Sequence, residues 1–263
     1  MNKLEKQLKV RLIHRTTRRV SLTEEGKAFL PYAEDVIASV LAAQAALSNE
    51  DSFLQGTLRV TAPASFGRMH LIPALSGFLA MHPQLNVNIT LSDAIVDLVE
   101  GGFDIAIRNS KLKSSSLIAT RLAKDQRLLC ASPAYLEKFG EPTHPEQLKD
   151  HQCLTLTGLD HWTFDGPAGS VSVKAKGRLS ADNGEAIRDA CINGIGITIC
   201  SKWIAYQQFE NKQLVPILTD YAIPTDTAIW AIYPSARQVA PKIRAFIDYC
   251  KAYFGDQPVW EAN

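Results

Sequence analysis

The stretch Leu58-Arg-Val-Thr-Ala62 alternates apolar and polar side chains and therefore predicts a β-strand. The residues that follow it predict a helix over 66–80, an alternating strand over 85–91, a short helix over 94–100 and a strand over 103–108. Strands that alternate with helices favour a mostly parallel sheet with helices on both faces. This part of the chain is therefore expected to form an α/β unit.

A second unit of the same kind follows Ser132-Pro133, which reads as a helix cap with a proline in the first turn. With 263 residues, of which 46% are hydrophobic, the chain can bury two such cores without disulfides or a metal. The predicted elements of the second unit cover 153–157, 170–175, 184–192 and 195–200. A last strand and helix follow at 227–233 and 241–254.

The N-terminus carries most of the charge asymmetry. The net charge of the chain is +1, yet the first 30 residues hold eight bases against three acids, which leaves the rest at −4. A helix is expected over 2–9, and two short apolar stretches in 10–22 flank Arg15-Thr-Thr-Arg-Arg19, which suits a two-stranded ribbon with a basic tip. Such a tip can enter a DNA minor groove, although a solvated basic terminus is the alternative.

A long helix is expected from residue 23, with Thr23 as its cap or with a capping box of Ser21 and Glu24. Its apolar residues recur at alternating spacings of four and three, which is typical of a helix that pairs with another helix. Self-pairing is the simplest partner, and packing on its own domain is the alternative. Pro31 is expected to kink or weaken the helix. The seam consists of Phe29, Ala33, Val36, Val40, Ala43 and Leu47.

Motifs of enzymes and metal sites are missing from the sequence. The six histidines form no zinc-protease motif, no group of Cys and His has zinc spacing, and neither a nucleophile elbow nor a P-loop is present. Five cysteines, mostly in apolar stretches, predict reduced thiols in the core of a cytoplasmic protein. No apolar run reaches the ~18 residues of a membrane span. We therefore expect no catalytic residues, no metal, no cofactor and no membrane contact.

Polar residues instead follow the predicted strands or begin the predicted helices. Ligands of open parallel sheets bind at the carboxyl ends of the strands, and helix N-termini favour anions. Each residue alone could equally be a cap or a turn. Together they predict a cleft between the two units for a small anionic ligand. The stretches are 61–65, 108–110, 157–158 and 182–184.

The run from Leu4 to Gly26, Leu-Glu-Lys-Gln-Leu-Lys-Val-Arg-Leu-Ile-His-Arg-Thr-Thr-Arg-Arg-Val-Ser-Leu-Thr-Glu-Glu-Gly, closely resembles the LysR-type transcriptional regulators. In that family the run is the end of a winged helix-turn-helix and the start of a linker helix. The resemblance continues along nearly the whole chain in the same order. Its further motifs are Gly56-Thr-Leu-Arg-Val60, Phe103-Asp-Ile-Ala-Ile-Arg108, Arg121-Leu-Ala123, Ala131-Ser-Pro-Ala-Tyr135, Gly194-Ile-Gly-Ile197 and Tyr233-Pro-Ser-Ala-Arg237.

The resemblance implies a fold class and a division of the chain. The fold class is α/β, with a two-lobed effector domain like a periplasmic binding protein, preceded by a long linker helix and a partial winged helix-turn-helix. The implied crossings between lobes lie near Cys130-Ala131 and near Ala231. The expected domains are the partial head at 1–22, the dimerisation helix at 23–52, lobe 1 at 53–131 plus 231–263, and lobe 2 at 132–230.

The resemblance also implies site residues and partners. Arg18 is expected in the minor groove, and Arg15 and Arg19 at phosphates or in structural contacts. Arg11 is a further expected DNA-binding residue. The partners are promoter DNA, a small organic acid as effector, and a second copy of the chain, with dimer and tetramer both open. The effector is expected to change how paired heads engage a promoter. The expected effector-binding residues are Ala64, Ser65, Phe66, Arg108, Asn109, Thr157, Asn183 and Gly196.

The start of the chain departs from the family pattern. Family members normally begin with two helices and the front half of the recognition helix, which supplies the major-groove base contacts. This sequence starts in the rear half of that helix. We therefore expect that Met1 is an internal methionine or that the chain is truncated. The alternative function is a small-molecule-binding module with little or no DNA binding.

Overall fold

The computed structural model describes residues 2–15, 20–47, 54–94, 97–98, 100–110, 117–224, 227–234 and 239–261. The helices are α1 Asn2–Leu8, α2 Glu24–Leu47, α3 Ala64–Phe66, α4 Ile72–Met81, α5 Pro133–Phe139, α6 Gly184–Ile192, α7 Lys202–Glu210 and α8 Pro241–Phe254. A π-helical turn, Gly67–Leu71, joins α3 to α4, and 3-10 turns lie at Pro145–Asp150 and Val259–Glu261. The first seven strands are β1 Ile13–Arg15, β2 Val20–Leu22, β3 Gly56–Ala62, β4 Leu85–Leu91, β5 Ile105–Ser110, β6 Leu117–Lys124 and β7 Arg127–Ala131. The other seven are β8 Cys153–Leu156, β9 His161–Gly166, β10 Gly169–Lys174, β11 Ser180–Ala181, β12 Ile197–Ser201, β13 Val215–Pro216 and β14 Ala228–Pro234.

The N-terminal segment contains the predicted helix and ribbon. Strands β1 and β2 pair antiparallel, with Ile13 opposite Leu22. The Glu5 side chain on α1 accepts hydrogen bonds from the main-chain N–H groups of Leu12 and Ile13, at 2.8 and 3.2 Å. The helix is therefore attached to the base of the ribbon rather than connected to it only through the chain.

Thr23 joins the ribbon to the long helix. Its hydroxyl donates to the Arg11 main-chain oxygen at 2.6 Å and accepts from the Gly26 N–H at 2.9 Å, so Thr23 is the cap of α2. Gly26 lies so close to the Leu12 main-chain oxygen that a Cβ would collide with it. From this cap α2 continues through Pro31 to Leu47.

Two five-stranded sheets and a separate antiparallel hairpin of β9 and β10 follow the N-terminal segment. The first has the order β4-β3-β5-β14-β6, in which β3 is parallel to β4 and β5, and β14 runs antiparallel to both its neighbours. The second has the order β11-β8-β12-β7-β13, with β8 parallel to β11 and β12. We call the units built on these sheets lobe 1 and lobe 2. Both sheets are mixed because one strand in each, β14 in the first and β7 in the second, runs antiparallel to its two neighbours.

The chain crosses between the lobes a few residues earlier than expected. Strand β6 ends at Lys124 in the first sheet, and β7 begins at Arg127 in the second. On the return, β13 lies in the second sheet, and all of β14 lies in the first. Residues 127–131 therefore belong to lobe 2 and 228–230 to lobe 1. The predicted division placed all of β7 in lobe 1 and cut β14 in two, whereas β7 pairs only within the second sheet and β14 only within the first.

One buried core extends through both lobes. It includes Leu58, Ile107 and Phe246 of lobe 1 as well as Leu154 and Ile204 of lobe 2. A second core belongs to lobe 2 alone, where Trp162 and Phe164 of the β9-β10 hairpin pack near Tyr135 and Leu148. The predicted short helix at 94–100 is not seen in its described residues, 94, 97, 98 and 100, none of which is helical.

Candidate functional site

Arg108 lies at the carboxyl edge of the first sheet. Its guanidinium donates to the Ile107 main-chain oxygen at 2.8 Å and to the Thr61 hydroxyl at 3.3 Å. Burial lowers the pKa of Arg108, and the charge of Asp93 opposes that shift. A guanidinium held at this edge is a partner for an anion.

Ser65 is the second residue of α3, the helix that follows β3. Pro63 precedes the helix in extended conformation, and the Ser65 side chain is buried in the first turn. The Ala64 N–H, one of the donors without a partner inside the helix, instead donates to Asp93 at 3.1 Å. This turn therefore presents an N–H, a hydroxyl and the nearby Arg108 at one strand edge.

Asn183 faces this turn from lobe 2. Its side-chain oxygen caps α6 by accepting from the Ala186 N–H at 3.1 Å. Its amide nitrogen lies 3.4 Å from the Ser65 hydroxyl and 3.1 Å from Asp93 Oδ2. The predicted residues Ser65 and Asn183 therefore meet directly between the lobes, 118 positions apart in the chain.

Thr157 lies at the same edge of the second sheet as Asn183. It follows β8, and its N–H donates to the Ala181 main-chain oxygen at 2.9 Å. Thr157 is exposed there.

Three of the expected effector-binding residues lie elsewhere. Phe66 is fully buried among aromatic rings, so it contributes packing. With its amide oriented to satisfy both neighbours, Asn109 donates to Asp125 at 3.1 Å and accepts from the Trp203 indole at 2.9 Å. Gly196 precedes β12 against the Gln152 main-chain oxygen, at the opposite edge of the sheet from Asn183, and a Cβ there would collide with that oxygen.

Asp93 is the residue of this site that the sequence reasoning missed. It follows β4 by two positions, and its carboxylate contacts both Ala64 of lobe 1 and Asn183 of lobe 2. The rule that located the other residues, polar side chains after parallel strands, applies equally to Ser92-Asp93. That signal was present and could have found it.

An aromatic junction joins the lobes behind this site. Phe66 and His70 contact Trp203 of lobe 2, and Trp260 packs against both, with ring centroids 6.0 and 4.4 Å apart. Burial lowers the pKa of His70, and the hydrogen bond to the Trp203 main-chain oxygen opposes that shift. The junction therefore holds a neutral imidazole in a mainly apolar contact.

Two of the four expected DNA-binding arginines, Arg11 and Arg15, are among the described residues. Arg11 is exposed just before β1, and Arg15 is the last residue of that strand. Arg18 and Arg19 lie outside the described residues.

On the long helix, Val36 and Val40 are exposed, with 63% and 52% of their surface accessible, while Phe29 and Ala33 are half-buried. The side chains of Ala43 and Leu47 are outside the described part.

Within the described ranges, no cluster of His, Cys, Asp and Glu could hold a metal ion. Nor does any helix there combine the length and hydropathy of a membrane span. All five cysteines are free thiols in buried positions. Burial raises the pKa of Cys153 to about 11 and that of Cys250 to about 12, so both are protonated at neutral pH.

Comparison with known proteins gives two family matches. Residues 52–255 match the LysR substrate binding domain, and residues 1–27 match the bacterial regulatory helix-turn-helix protein, lysR family. The chain is 34% identical over 257 residues to the HTH-type transcriptional regulator DmlR of Escherichia coli K12. This alignment covers 96% of this chain and 83% of DmlR.

Solved structures of relatives share the fold. CrgA, a LysR-type transcriptional regulator from Neisseria meningitidis, superposes with a TM-score of 0.71 at 30% identity. The match covers 97% of this chain and 88% of the CrgA chain. The Vibrio cholerae virulence activator AphB gives 0.69 at 28% identity, with 96% and 87% covered. These relatives are named as regulators or activators rather than enzymes, which confirms the expectation of a non-enzymatic protein.

Proposed function

Because the chain belongs to the LysR family of bacterial transcriptional regulators, we propose that it is a DNA-binding regulator controlled by a small organic anion bound between its two lobes. The observation that carries this proposal is the contact of Ser65 with Asn183 across the cleft, beside the Arg108 guanidinium. The proposal also places the protein in the cytoplasm, where chromosomal DNA is accessible.

The donors at the cleft favour a carboxylate. Ser65 offers a hydroxyl, Asn183 an amide, Ala64 a main-chain N–H at a helix start, and Arg108 a positive charge. A carboxylate accepts several such bonds at once, and bonds to a charged partner are about twice as strong as neutral ones. The cleft therefore suits a small organic acid better than a neutral or cationic metabolite.

A ligand bound here can change the arrangement of the lobes because its binding partners come from different lobes. Ser65 and Arg108 belong to lobe 1, and Asn183 belongs to lobe 2. A ligand that contacts both favours the arrangement in which they are close, and it shifts the equilibrium only by its differential affinity for the two arrangements. Since the lobes share a core, the expected movement is a small shift of packed elements rather than a wide opening.

DNA is the partner of the N-terminal segment in this proposal. The Glu5 and Thr23 bonds attach the ribbon strands to α1 and α2. Arginines at such a tip suit a minor groove and its phosphates. We assign Arg11, Arg15, Arg18 and Arg19 to this contact.

The long helix is assigned to self-association. Val36 and Val40 present apolar surface at heptad spacing, and neighbouring Ile37 is also exposed. Burying these side chains against a second copy would remove about 25 cal/mol per Å² of apolar area from water. A dimer paired along this helix would carry two ribbons, as a two-fold DNA site requires.

A panel of organic acids tests the cleft. The mid-point of thermal unfolding should rise with at least one acid in the wild-type chain and not in Ser65→Ala or Asn183→Ala. Asn183→Ala removes a helix cap at a cost of about 1 kcal/mol, so the ligand-induced shift is compared rather than the melting point itself. Thr163→Ala, on the outer face of the β9-β10 hairpin, should keep the full shift. An unchanged shift in both cleft variants would contradict this assignment.

A further inference from the structure

The Asp93 carboxylate uses both of its oxygens between the lobes. Oδ1 accepts from the Ala64 N–H of lobe 1, and Oδ2 accepts from the Asn183 amide of lobe 2, both at 3.1 Å. The Ser65 hydroxyl lies 3.4 Å from the same amide nitrogen. A residue of the protein thus already occupies the donors that a bound acid would need.

Arg108 completes the resemblance of this arrangement to a carboxylate-binding site. The guanidinium is half-buried, and Asp93 is the acid whose charge stabilises its protonated form. A main-chain N–H at a helix start, a side-chain amide and a nearby guanidinium together form an anion-binding set. Here the anion is supplied by the loop after β4.

We propose that Asp93 is a built-in substitute for the effector carboxylate, which holds the lobes together in the free protein and must be displaced when an acid binds. This inference rests on the proposed anion-binding function of the cleft. The ligand would take over the Ala64 and Asn183 donors, and Asp93, already exposed, would turn into water. The protein would then respond only to acids that compete successfully with its own carboxylate.

The same contacts have a simpler alternative. Asp93 could serve only to satisfy the N–H at the start of the α3 helix, as acidic and polar caps commonly do. A cap alone would contribute about 1 kcal/mol of stability and would not change the affinity for an anion. Anion affinity, and not stability, therefore separates the two roles.

Titration calorimetry with sodium acetate measures that affinity, with sodium chloride at equal ionic strength as the blank. Asp93→Ala removes the competing carboxylate, and we expect it to bind acetate at least tenfold more tightly than the wild-type chain. Asp93→Asn removes the charge but keeps an acceptor, so its gain should be smaller. Glu141→Gln removes one negative charge from an exposed loop of lobe 2 and should bind acetate as the wild type does.

The outcomes separate this inference from the proposed function. Equal acetate affinity in wild type and both Asp93 variants would overturn the substitute role while leaving the anion cleft intact. Acetate binding in none of the proteins would overturn the inference, and the absence of stabilisation by every acid of the panel would overturn the proposed function as well. The gain of Asp93→Ala should vanish when Arg108→Gln is added, and a gain that persists would place the acetate elsewhere and overturn the inference. Circular dichroism checks folding, and Asp93→Asn replaces Asp93→Ala if the latter fails to fold.

Discussion

The His70 imidazole nitrogen Nε2 lies 2.7 Å from the main-chain oxygen of Trp203, although the two residues are 133 positions apart and belong to different lobes. The Trp260 ring packs on the same imidazole from the C-terminal segment. This contact ties the helix that carries Ser65 to α7 of lobe 2. Changes at the junction are therefore expected to reach the cleft.

Protonation of His70 should weaken the fold. Burial lowers its pKa below 6.5, so as pH falls from 6.5 through the lowered value the unfolded chain binds more protons than the folded one. Stability present above pH 6.5 is lost in that window. His70→Gln keeps a donor for Trp203 but cannot titrate, so its melting point should fall less between pH 7.5 and 5.5.

The exposed His161→Gln is the control for that comparison and should follow the wild type. Thermal unfolding by circular dichroism at matched ionic strength measures all three proteins. If His70→Gln loses as much stability as the wild type over this interval, the imidazole does not carry the effect.

Asp125 is expected to be important for stability at the first crossing between lobes. Its carboxylate accepts from the Thr227 hydroxyl at 2.7 Å and from Arg127 at 3.1 Å, which joins the two crossings. Because the side chain is fully buried, Asp125→Ala should lower the free energy of unfolding by roughly 2–4 kcal/mol. Urea unfolding measures it, and the exposed Asp150→Ala should change it by less than about 0.5 kcal/mol.

Self-association along α2 predicts that a charge placed in the apolar seam lowers the mass of the protein in solution. Val36→Glu places a charge in the seam and should convert the dimer to a monomer at micromolar concentration, as measured by analytical ultracentrifugation. Leu159→Glu adds the same charge to a residue of similar exposure, 53% against 63%, in a turn of lobe 2 and should leave the dimer intact. A dimer that survives Val36→Glu together with Val40→Glu would exclude this helix as the interface.

The cysteines should be inert in the folded protein. All five are buried, and burial keeps the thiols of Cys153 and Cys250 protonated. The thiolate is the reactive form, so a thiol reagent at pH 8 should label none within minutes and all five in guanidinium. Mass spectrometry counts the labels, and rapid labelling of a native cysteine would contradict the burial described above.

Local patterns in the sequence predicted many elements closely. Helices α6 and α8 and strand β4 have the predicted bounds, because caps and alternation are properties of neighbouring residues. Thr23 was one of two expected caps, and its hydroxyl is the one that bonds Gly26.

Contacts between segments that are distant in sequence were harder to predict. The apolar run Arg127–Ala131 suits a strand in either sheet, so its assignment to lobe 2 depends on pairing with β12, about 70 residues later. Phe66 belongs to the helix that follows β3 and was expected to bind the effector. Only the tertiary packing of Trp203 and Trp260 explains why it is buried.

Part of the candidate site could be predicted because several of its residues lie at strand ends or helix starts. Ser65 and Thr157 follow strands, Arg108 lies near the end of β5, and Asn183 caps α6. Parallel strands bring such positions to one edge. Asn109 is next to Arg108 in sequence, but alternate residues of a strand face opposite sides, which directs Asn109 to Asp125 and Trp203 instead.

A mobility-shift titration of the DNA upstream of the gene tests the central claim most directly. Two proteins are compared: the chain itself and the chain extended to its upstream in-frame codons. Each is titrated at moderate salt, with and without an organic acid that stabilises the protein. We predict binding that the acid changes in the wild type but not in Asn183→Ala. If neither protein binds its promoter region, or if the acid changes binding equally in Asn183→Ala, the account of an effector-controlled regulator is contradicted.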